Sequence, residues 1–546
     1  MKIRLITSFP MLLALPVLLA LQAVPAAAQD KVVDVIARGD TDLAAAMIAS
    51  GADVSAPQPD GTTALMYAAY LANAELAEAL IEAGADVNAV NDYGTSPILE
   101  AAIVGATDVL RILLAHGADA NWRNPEGETA LMNTARAGLI EATTLLLDHG
   151  AEIDTVEHWG GQSALHWAAA QGQPEMMALL IARGADINRV SAIREWDRTT
   201  LNEPRPKHLN KGGFTPLHFA AREGCTACVN VLAEAGANLD AHDPERVTPL
   251  NMALLNQHFA TAAALIEAGA DVNKWDLYGR TPLFNAIDLH TLPTGGRADI
   301  PTSDTTTGYD IAAMLLARDA DPNIQLKMVP PLRNAIYDRG SDKVLTTGAT
   351  PLMRAVKGGD IESTQLLLSH GALPDLPNME GQTPMMIVAG MGHTTSPTRG
   401  AYRTQSQSIE AIRLLLEAGA DINALSGDPA LPPGVDPVDY ERDKNLHPAN
   451  EGEVVIHGQT ALHGAAKQGW TDVARFLIEH GARLQIVDEA GTTPFDLAMG
   501  RYAPAYNDSA PLPFFETARY LQQECEKIDN CVIPDPLNLD NALFTE

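Results

Sequence analysis

The sequence predicts an all-α repeat solenoid, in which each helix-turn-helix unit is joined to the next by a finger loop. Three observations support this fold class. The first four copies of a tripeptide that reads Gly-Ala-Asp or Gly-Ala-Glu are 33 residues apart, a marker of the Thr-Pro-Leu type precedes each later copy at a constant offset where no insertion intervenes, and aromatic residues supply just 5% of the chain. Such a period is typical of stacked repeats. We expect about 12 units, including two degenerate caps, because each unit must bury its faces against its neighbours.

The glycine of the tripeptide is expected to end the second helix of each unit, because glycine adopts the left-handed turn there at no steric cost. In the third unit the preceding Val109, Leu110, Leu113 and Leu114 form one apolar stripe, as a buried helix face requires. The first position of the Gly-Ala-Asp tripeptide is occupied by Gly51, Gly84, Gly117, Gly150, Gly184, Gly236, Gly269, Asp319, Gly371, Gly419 and Gly481.

A serine or threonine is expected to begin each first helix, since its hydroxyl can cap free backbone amides for about 1 kcal/mol. Proline at the next position loses no helical hydrogen bond. Small residues such as Ala101 and Ala102 let paired helices approach closely. The marker residues are Thr63, Ser96, Thr129, Ser163, Thr215, Thr248, Thr281, Thr350, Thr383, Thr460 and Thr493.

These markers resemble the ankyrin repeat, whose signature is Thr-Pro-Leu-His-x-Ala followed by a second helix and Gly-Ala-Asp. The resemblance covers about residues 30–526, and His166, His218 and His463 fill the histidine position. It implies a scaffold that binds other macromolecules, chiefly proteins, through its finger tips and the exposed part of its first helices.

We expect three segments along the chain: a secretory signal peptide at 1–28, the solenoid at 29–527 and an acidic tail at 528–546. The signal is indicated by Lys2 and Arg4, an apolar run, and small residues up to Ala28. A retained membrane anchor is the alternative. With cleavage near Ala28 and Gln29, the expected product is a periplasmic or secreted monomer without membrane insertion.

Five insertions interrupt the repeat. Three are expected in the fingers between units and two in the turn between paired helices. They could be disordered excursions, or they could pack against the repeats and shape a pocket. Their residues are 189–211, 324–347 and 425–456 in fingers, and 290–307 and 392–407 in turns.

Charge and motifs exclude several functions. The formal net charge of −32 argues against nucleic-acid binding, which needs clustered Lys and Arg, and against anionic membranes. No metalloprotease, nucleophile-elbow, phosphate-loop or EF-hand motif is present. We therefore expect no enzyme activity, no cofactor and no metal site.

The four cysteines form two candidate disulfides, Cys225–Cys228 and Cys525–Cys531, since an even number of cysteines in an exported chain favours bridges. The C-x-x-C of Cys225 and Cys228 leaves two other possibilities: reduced thiols packed in the core, and a reactive dithiol at a helix amino terminus. By alignment, Cys228 should point inward.

Alignment with the family places candidate partner-binding residues on the finger tips and first helices. Large aromatic residues and arginine contribute most of the energy of protein interfaces, although the same rings can pack between fingers. The leading hypothesis is an exported protein-binding scaffold. The alternatives are a thiol oxidoreductase or redox sensor at Cys225 and Cys228, and a structural role in which the acidic chain acts as a spacer or binds divalent cations. The candidates are Tyr70, Tyr93, Trp122, Arg123, Arg136, Trp159, Phe214, Arg222 and Tyr278.

Overall fold

The computed structural model describes residues 30–195, 211–290, 304–328, 347–392, 403–427, 456–501, 512–533 and 535–537. The signal segment, most of the five insertions and most of the acidic tail lie outside this range. The chain divides into two compact units, one reaching to Pro125 and the other starting at Glu126. Sequence patterns gave no sign of this division, because the repeat spacing continues unchanged across it.

The first unit contains three helix pairs. Within each pair the two helices are antiparallel neighbours joined by a short turn, and successive first helices pack on each other, as α3 packs on α5. The helices are α1 (Val32–Ala37), α2 (Thr41–Ala49), α3 (Ala64–Tyr70), α4 (Ala74–Glu82), α5 (Pro97–Val104) and α6 (Thr107–Ala115).

The second unit contains nine further pairs among its described residues. Its helices are α7 (Ala130–Arg136), α8 (Ile140–Asp148), α9 (Ala164–Ala170), α10 (Pro174–Ala182), α11 (Pro216–Glu223), α12 (Thr226–Glu234), α13 (Pro249–Leu255), α14 (Phe259–Glu267), α15 (Pro282–His290), α16 (Gly308–Leu316), α17 (Pro351–Gly358), α18 (Ile361–Ser369), α19 (Pro384–Val388), α20 (Gln405–Glu417), α21 (Ala461–Lys467), α22 (Thr471–Glu479), α23 (Pro494–Ala498) and α24 (Phe515–Cys525).

Twelve helix pairs over the described residues confirm the predicted solenoid. The apolar stripe predicted for the third unit is buried on α6, and Ala101 and Ala102 are fully buried between helices. None of the described helices is both long and apolar enough to cross a membrane, and the longest, α20, has 13 residues.

The three finger insertions leave the repeat in register because backbone hydrogen bonds join their two ends. Backbone bonds join Ser191 to Phe214, Leu326 to Ala349 and Ser426 to Gln459, at 2.8 to 2.9 Å. Each finger insertion therefore begins and ends at paired backbone. A sixth interruption, not expected from the sequence, separates α23 from α24, where the N–H of Phe514 donates to Ala498 O at 2.7 Å.

Helix starts agree with the prediction in part. The hydroxyls of Thr63, Thr129 and Thr350 accept amides of their first turns at 3.2 to 3.3 Å. Ser163 and Thr215 instead share their hydroxyls with a histidine of the first turn, and the Ser96 hydroxyl is buried without a partner. The capping prediction was therefore wrong for Ser96.

The histidine of the signature ties a helix start to the following finger. His218 Nδ1 accepts the N–H of Thr215 at 3.2 Å, which leaves the proton on Nε2. Nε2 then donates to Val247 O at 3.0 Å. His166 repeats the arrangement with Ser163 and donates to Arg189 O and Phe214 O. Burial lowers the pKa of both histidines to about 4, so both rings are neutral at physiological pH.

An asparagine four residues after the repeat glycine links consecutive repeats. Asn88 Oδ1 accepts the N–H of Asp119 at 2.8 Å, and its Nδ2 donates to Gly117 O at 3.1 Å. Asn273, Asn323 and Asn423 make the same pair of bonds in the second unit. Sequence analysis missed this contact, although the recurring Asn was visible at that offset.

Candidate functional site

In the first unit the first helices expose a tyrosine and an isoleucine. Tyr70 ends α3 and Ile103 occupies the same position on α5, with 58% and 52% of each residue exposed. Tyr67 and Glu100, three residues earlier on these helices, are half-buried. Residues three apart share a helix face, and α3 packs on α5. Tyr67, Tyr70, Glu100 and Ile103 therefore form one surface, named the α3–α5 patch.

The finger that leads into α5 carries Tyr93, which is 69% exposed. The turn beneath it is closed by Asn91, whose Oδ1 accepts the N–H groups of Tyr93 and Thr95 at 3.1 and 2.9 Å. The side chains of Tyr70 and Tyr93 make no hydrogen bond and no cation contact with any described residue. The rings of Tyr70 and Tyr93 are therefore exposed to solvent and positioned by the backbone that carries them.

Trp122 and Arg123 lie on the next finger of the same unit. Trp122 is half-buried, and its indole N–H donates to Gly94 O at 3.0 Å, so this ring supports the preceding finger. Arg123 is exposed. Trp122 therefore links two successive fingers, and its role in partner binding stays a prediction.

In the second unit, arginines lie on two accessible tryptophan rings, those of Trp167, which was not among the predicted residues, and of the predicted Trp159. The Arg136 guanidinium lies 5.0 Å from the ring of Trp167, and its Nη2 donates to Asn133 Oδ1 at 3.1 Å. Trp159 is 67% exposed, and Arg194 lies 4.8 Å from its ring centroid. These rings are accessible, but each has a cation of the chain itself on one face.

Two of the predicted contact residues are buried, which corrects their assignment. Phe214 is 4% exposed because it stacks on His218 at 5.5 Å and meets Phe219 edge-on at 5.8 Å. Tyr278 is 6% exposed, and its carbonyl accepts the N–H of Lys327 at 2.8 Å. Both rings hold the stack together and are not available to a partner.

Arg222 is half-buried and occupied within its own repeat. Its guanidinium lies 4.8 Å from the Phe219 ring and pairs with Glu223 at 2.8 Å. Arg222 lies on the first helix of its repeat, as the sequence predicted. Phe219 holds the same position in its repeat as Trp167 does, so both aromatic rings carry an arginine.

Sequence reasoning missed a cation pair around Trp275. Arg246 lies 3.9 Å and the Lys327 ammonium 3.6 Å from the Trp275 ring. Burial, followed by the charge of Arg246, lowers the pKa of Lys327. Lys327 stands 52 residues after Trp275, at the start of a finger insertion, so no local pattern connects the two.

Two buried arginines were also missed. Arg354 is fully buried, with its Nε donating to Asp288 Oδ1 at 2.6 Å, while its two Nη atoms have no partner. Arg403 donates to Val356 O, Lys357 O and Ile387 O at 2.9 to 3.1 Å. Arg403 thus binds the last carbonyls of α17 and α19, a favourable place for a cation.

Both cysteine pairs are disulfide-bonded in the structure. Cys225 precedes α12 and caps it, since Sγ accepts the N–H of Cys228 at 3.2 Å. Cys228 is fully buried, as the alignment predicted, and Cys225 is half-buried. The second bridge joins Cys525, the last residue of α24, to Cys531. Within the described ranges, no group of three or more His, Cys, Asp and Glu residues is arranged to hold a metal ion.

Comparison with known families identifies ankyrin repeats along the chain. A profile described as "Ankyrin repeats (3 copies)" matches residues 33–124, 105–191 and 309–426, which together are half of the sequence. A second, "Ankyrin repeat", matches 212–244 and 457–489, and "Ankyrin repeats (many copies)" matches 165–224.

Known proteins resemble parts of the chain. The putative palmitoyltransferase ZDHHC13 of Danio rerio is 28% identical over 219 residues, which are 40% of this chain and 26% of that protein. The transient receptor potential cation channel subfamily A member 1 of Homo sapiens is 25% identical over 384 residues, 62% of this chain and 29% of that protein. The matches to these two relatives thus span less than a third of each relative's length.

Among solved structures, the human ASB11 ankyrin repeat domain aligns with 44% of this chain and 99% of its own. Its sequence is 22% identical, and the TM-score is 0.37.

Proposed function

The chain belongs to the ankyrin-repeat family, and from this we propose that it is an exported scaffold that binds a partner protein and catalyses no reaction itself. Repeat solenoids present extended surfaces that are suited to macromolecular partners. For this chain the binding role is inferred from its own exposed side chains, because fold alone does not specify function.

The binding surface we propose is the α3–α5 patch together with Tyr93. The observation that carries it is the exposure of Tyr70 and Tyr93, each more than half accessible and without a partner among the described residues. Tyrosine is enriched in protein interfaces, where its ring is buried on binding. In the second unit, Trp159 is a separate candidate, since one of its faces already carries Arg194.

Export is part of the proposal. The amino-terminal segment with its small residues before Gln29 has the pattern of a signal peptide. The two disulfides support it as well, because such bridges persist in oxidising compartments and are rare in the cytosol. The proposed location is the periplasm or the medium.

The proposed binding surface is tested by immobilising residues 29–546 at low density and measuring which partner proteins they capture. A Tyr70→Ala/Tyr93→Ala variant should lose the captured protein at an unchanged melting temperature. Leu373→Ala is the matched control, since Leu373 is also exposed, at 53%, but lies after a second helix and outside the patch. Equal capture by the double variant and the wild type would contradict the assignment of this surface.

A thiol oxidoreductase at Cys225 and Cys228 is the second candidate. Cys225 favours it, since it is partly accessible and stands at the amino end of the nine-residue α12, where a thiolate is stabilised. Such an enzyme would oxidise a dithiol substrate to a disulfide while its own disulfide is reduced to two thiols, and its reduced form would run the same exchange in reverse on a disulfide substrate. Failure of dithiothreitol-reduced protein to reduce insulin disulfides after desalting would dismiss this candidate.

A further inference from the structure

The second unit repeatedly places its own cations on its aromatic rings. Arg136 covers Trp167, Arg194 covers Trp159, and Arg222 covers Phe219, at 4.8 to 5.0 Å. A guanidinium over an aromatic face is held by the negative charge density of the ring. In the first unit none of the described rings has such a cation, although Tyr67, Tyr70, Tyr93 and Trp122 are all at least partly exposed.

The first unit has no spare cation to cover these rings. Between residues 30 and 125 there are 14 acidic residues and four basic ones. Lys31 donates to Pro57 O at 2.8 Å, while Arg38 pairs with Asp30 and Arg111 with Asp108. Arg123 is engaged as well. The surface around the α3–α5 patch is therefore acidic and without a free basic side chain.

Glu100 is the charged member of the patch. It corresponds in register to Tyr67 of α3, and it is half-buried between the exposed residues. Partial burial raises the pKa of its carboxyl, because desolvation penalises the charged form. Its carboxylate has no ion pair or hydrogen bond with the described residues. A carboxylate held partly out of water gains most from a cation brought by another molecule.

We propose that the partner occupies the α3–α5 patch with a cationic segment, in which a lysine or arginine side chain lies over Tyr70 or Tyr67 and pairs with Glu100. The apolar stem of that side chain packs against Ile103. The arrangement is the one the chain makes internally between Arg136 and Trp167, completed here by a second protein. This inference rests on the proposed function and adds the chemical class of the partner.

The probe is a short fluorescein-labelled peptide of alternating arginine and serine, with a glutamate and serine peptide as the opposite-charge control. Fluorescence anisotropy with residues 29–546 should show binding of the arginine peptide alone. Tyr70→Leu and Glu100→Gln should each weaken it about five- to tenfold, whereas Tyr70→Phe, which keeps the ring, should not. Glu78→Gln on α4 removes the same charge from an exposed site outside the patch and should leave the affinity unchanged.

Three results would overturn the inference. If Glu78→Gln weakens the arginine peptide as much as Glu100→Gln does, the attraction is a diffuse effect of net charge. If the glutamate peptide binds equally, the patch has no charge preference. A natural partner that is lost with Tyr70→Ala/Tyr93→Ala but retained with Glu100→Gln would leave the scaffold function standing and reject the cationic segment.

Discussion

Tyr93 and Tyr278 occupy the same position in their respective repeats, the residue before the finger glycine, yet Tyr93 is 69% exposed and Tyr278 is 6% exposed. The difference arises from the later course of the chain in each repeat. The chain returns over Tyr278 at Lys327, whose N–H donates to the tyrosine carbonyl, and Arg280 lies 5.1 Å from its ring. No described residue covers the ring of Tyr93 in this way.

Truncating these two tyrosines should therefore change the free energy of unfolding by very different amounts. Tyr278→Ala leaves a cavity in the stack and should lower the free energy of unfolding by about 3 kcal/mol. Tyr93→Ala should change it by less than about 0.5 kcal/mol, because the ring contacts little. Urea unfolding followed by circular dichroism measures both. A loss for Tyr93→Ala as large as that for Tyr278→Ala would show that Tyr93 is a packing residue.

Asn423 links two repeats across the longest finger insertion. Its Oδ1 accepts the N–H of Arg483 at 2.8 Å and its Nδ2 donates to Gly481 O at 3.1 Å. Asn423→Ala removes both bonds and should destabilise the last repeats by about 1–3 kcal/mol. Asn423→Asp should cost less, since Asp240 accepts the N–H of Asp271 in the same position. Amide exchange at residues 481–483 that is unchanged in Asn423→Ala would refute the role.

The buried histidines predict a pH dependence of stability. Burial holds the pKa of His166 and of His218 at about 4, below the usual 6.5, so the unfolded chain binds more protons between these values. The contribution of the neutral rings is complete above pH 6.5 and is lost as the pH falls towards 4. Between pH 7 and pH 5 each histidine should account for about 2 kcal/mol of lost stability.

The comparison that isolates this effect is His166→Asn/His218→Asn, in which asparagine can retain the bond to the next finger. Asn251 does so in this chain, donating to Lys274 O at 3.1 Å. Urea unfolding of wild type and variant at both pH values cancels the titration of the many carboxylates. Equal losses of stability in the two proteins would contradict the assignment.

Reduction of the disulfides should lower the stability of the chain by a small amount. Each bridge closes a short loop, with sequence separations of 3 and 6, so each is expected to contribute about 2 kcal/mol. Cys225→Ser/Cys228→Ala keeps a capping group at 225 and a small apolar residue at 228. The double variant should melt below the wild type, and reductant should lower its melting temperature less than that of the wild type. A wild-type melting temperature unaffected by reductant would disprove the contribution.

The fold could be predicted because its determinants are local. The apolar stripe of α6 and the turn at Gly117 each depend on residues within one repeat, so spacing alone reveals them. The inter-repeat bonds of Asn88 were within reach too, since the Asn recurs at a fixed offset. The partner of each capping hydroxyl was not predicted. Ser163 and Thr129 hold the same position in their repeats, but the hydroxyl of Ser163 bonds to the His166 ring, whereas that of Thr129 accepts the N–H of Met132.

The candidate surface could be predicted less completely, because exposure depends on residues far along the chain. Phe214 was assigned to the surface from its place before Thr215, but its ring is enclosed by His218 and Phe219. Arg403 and Lys327 lie in or beside insertions, where repeat spacing gives no register. Tyr70, Tyr93 and Trp159 were placed correctly as exposed residues. The repeats of Tyr70 and Tyr93 keep the 33-residue period without an insertion.

The most direct test of the scaffold function is photocrosslinking in the intact cell, with p-benzoylphenylalanine placed at position 93 or, as the control, at Glu78 on the exposed side of α4. We predict that light produces a covalent adduct with one partner protein from position 93, and none from position 78. Adducts of the same partner from position 78 alone, or from both positions equally, would contradict the claim that the partner docks on the surface formed by Tyr93 and the α3–α5 patch.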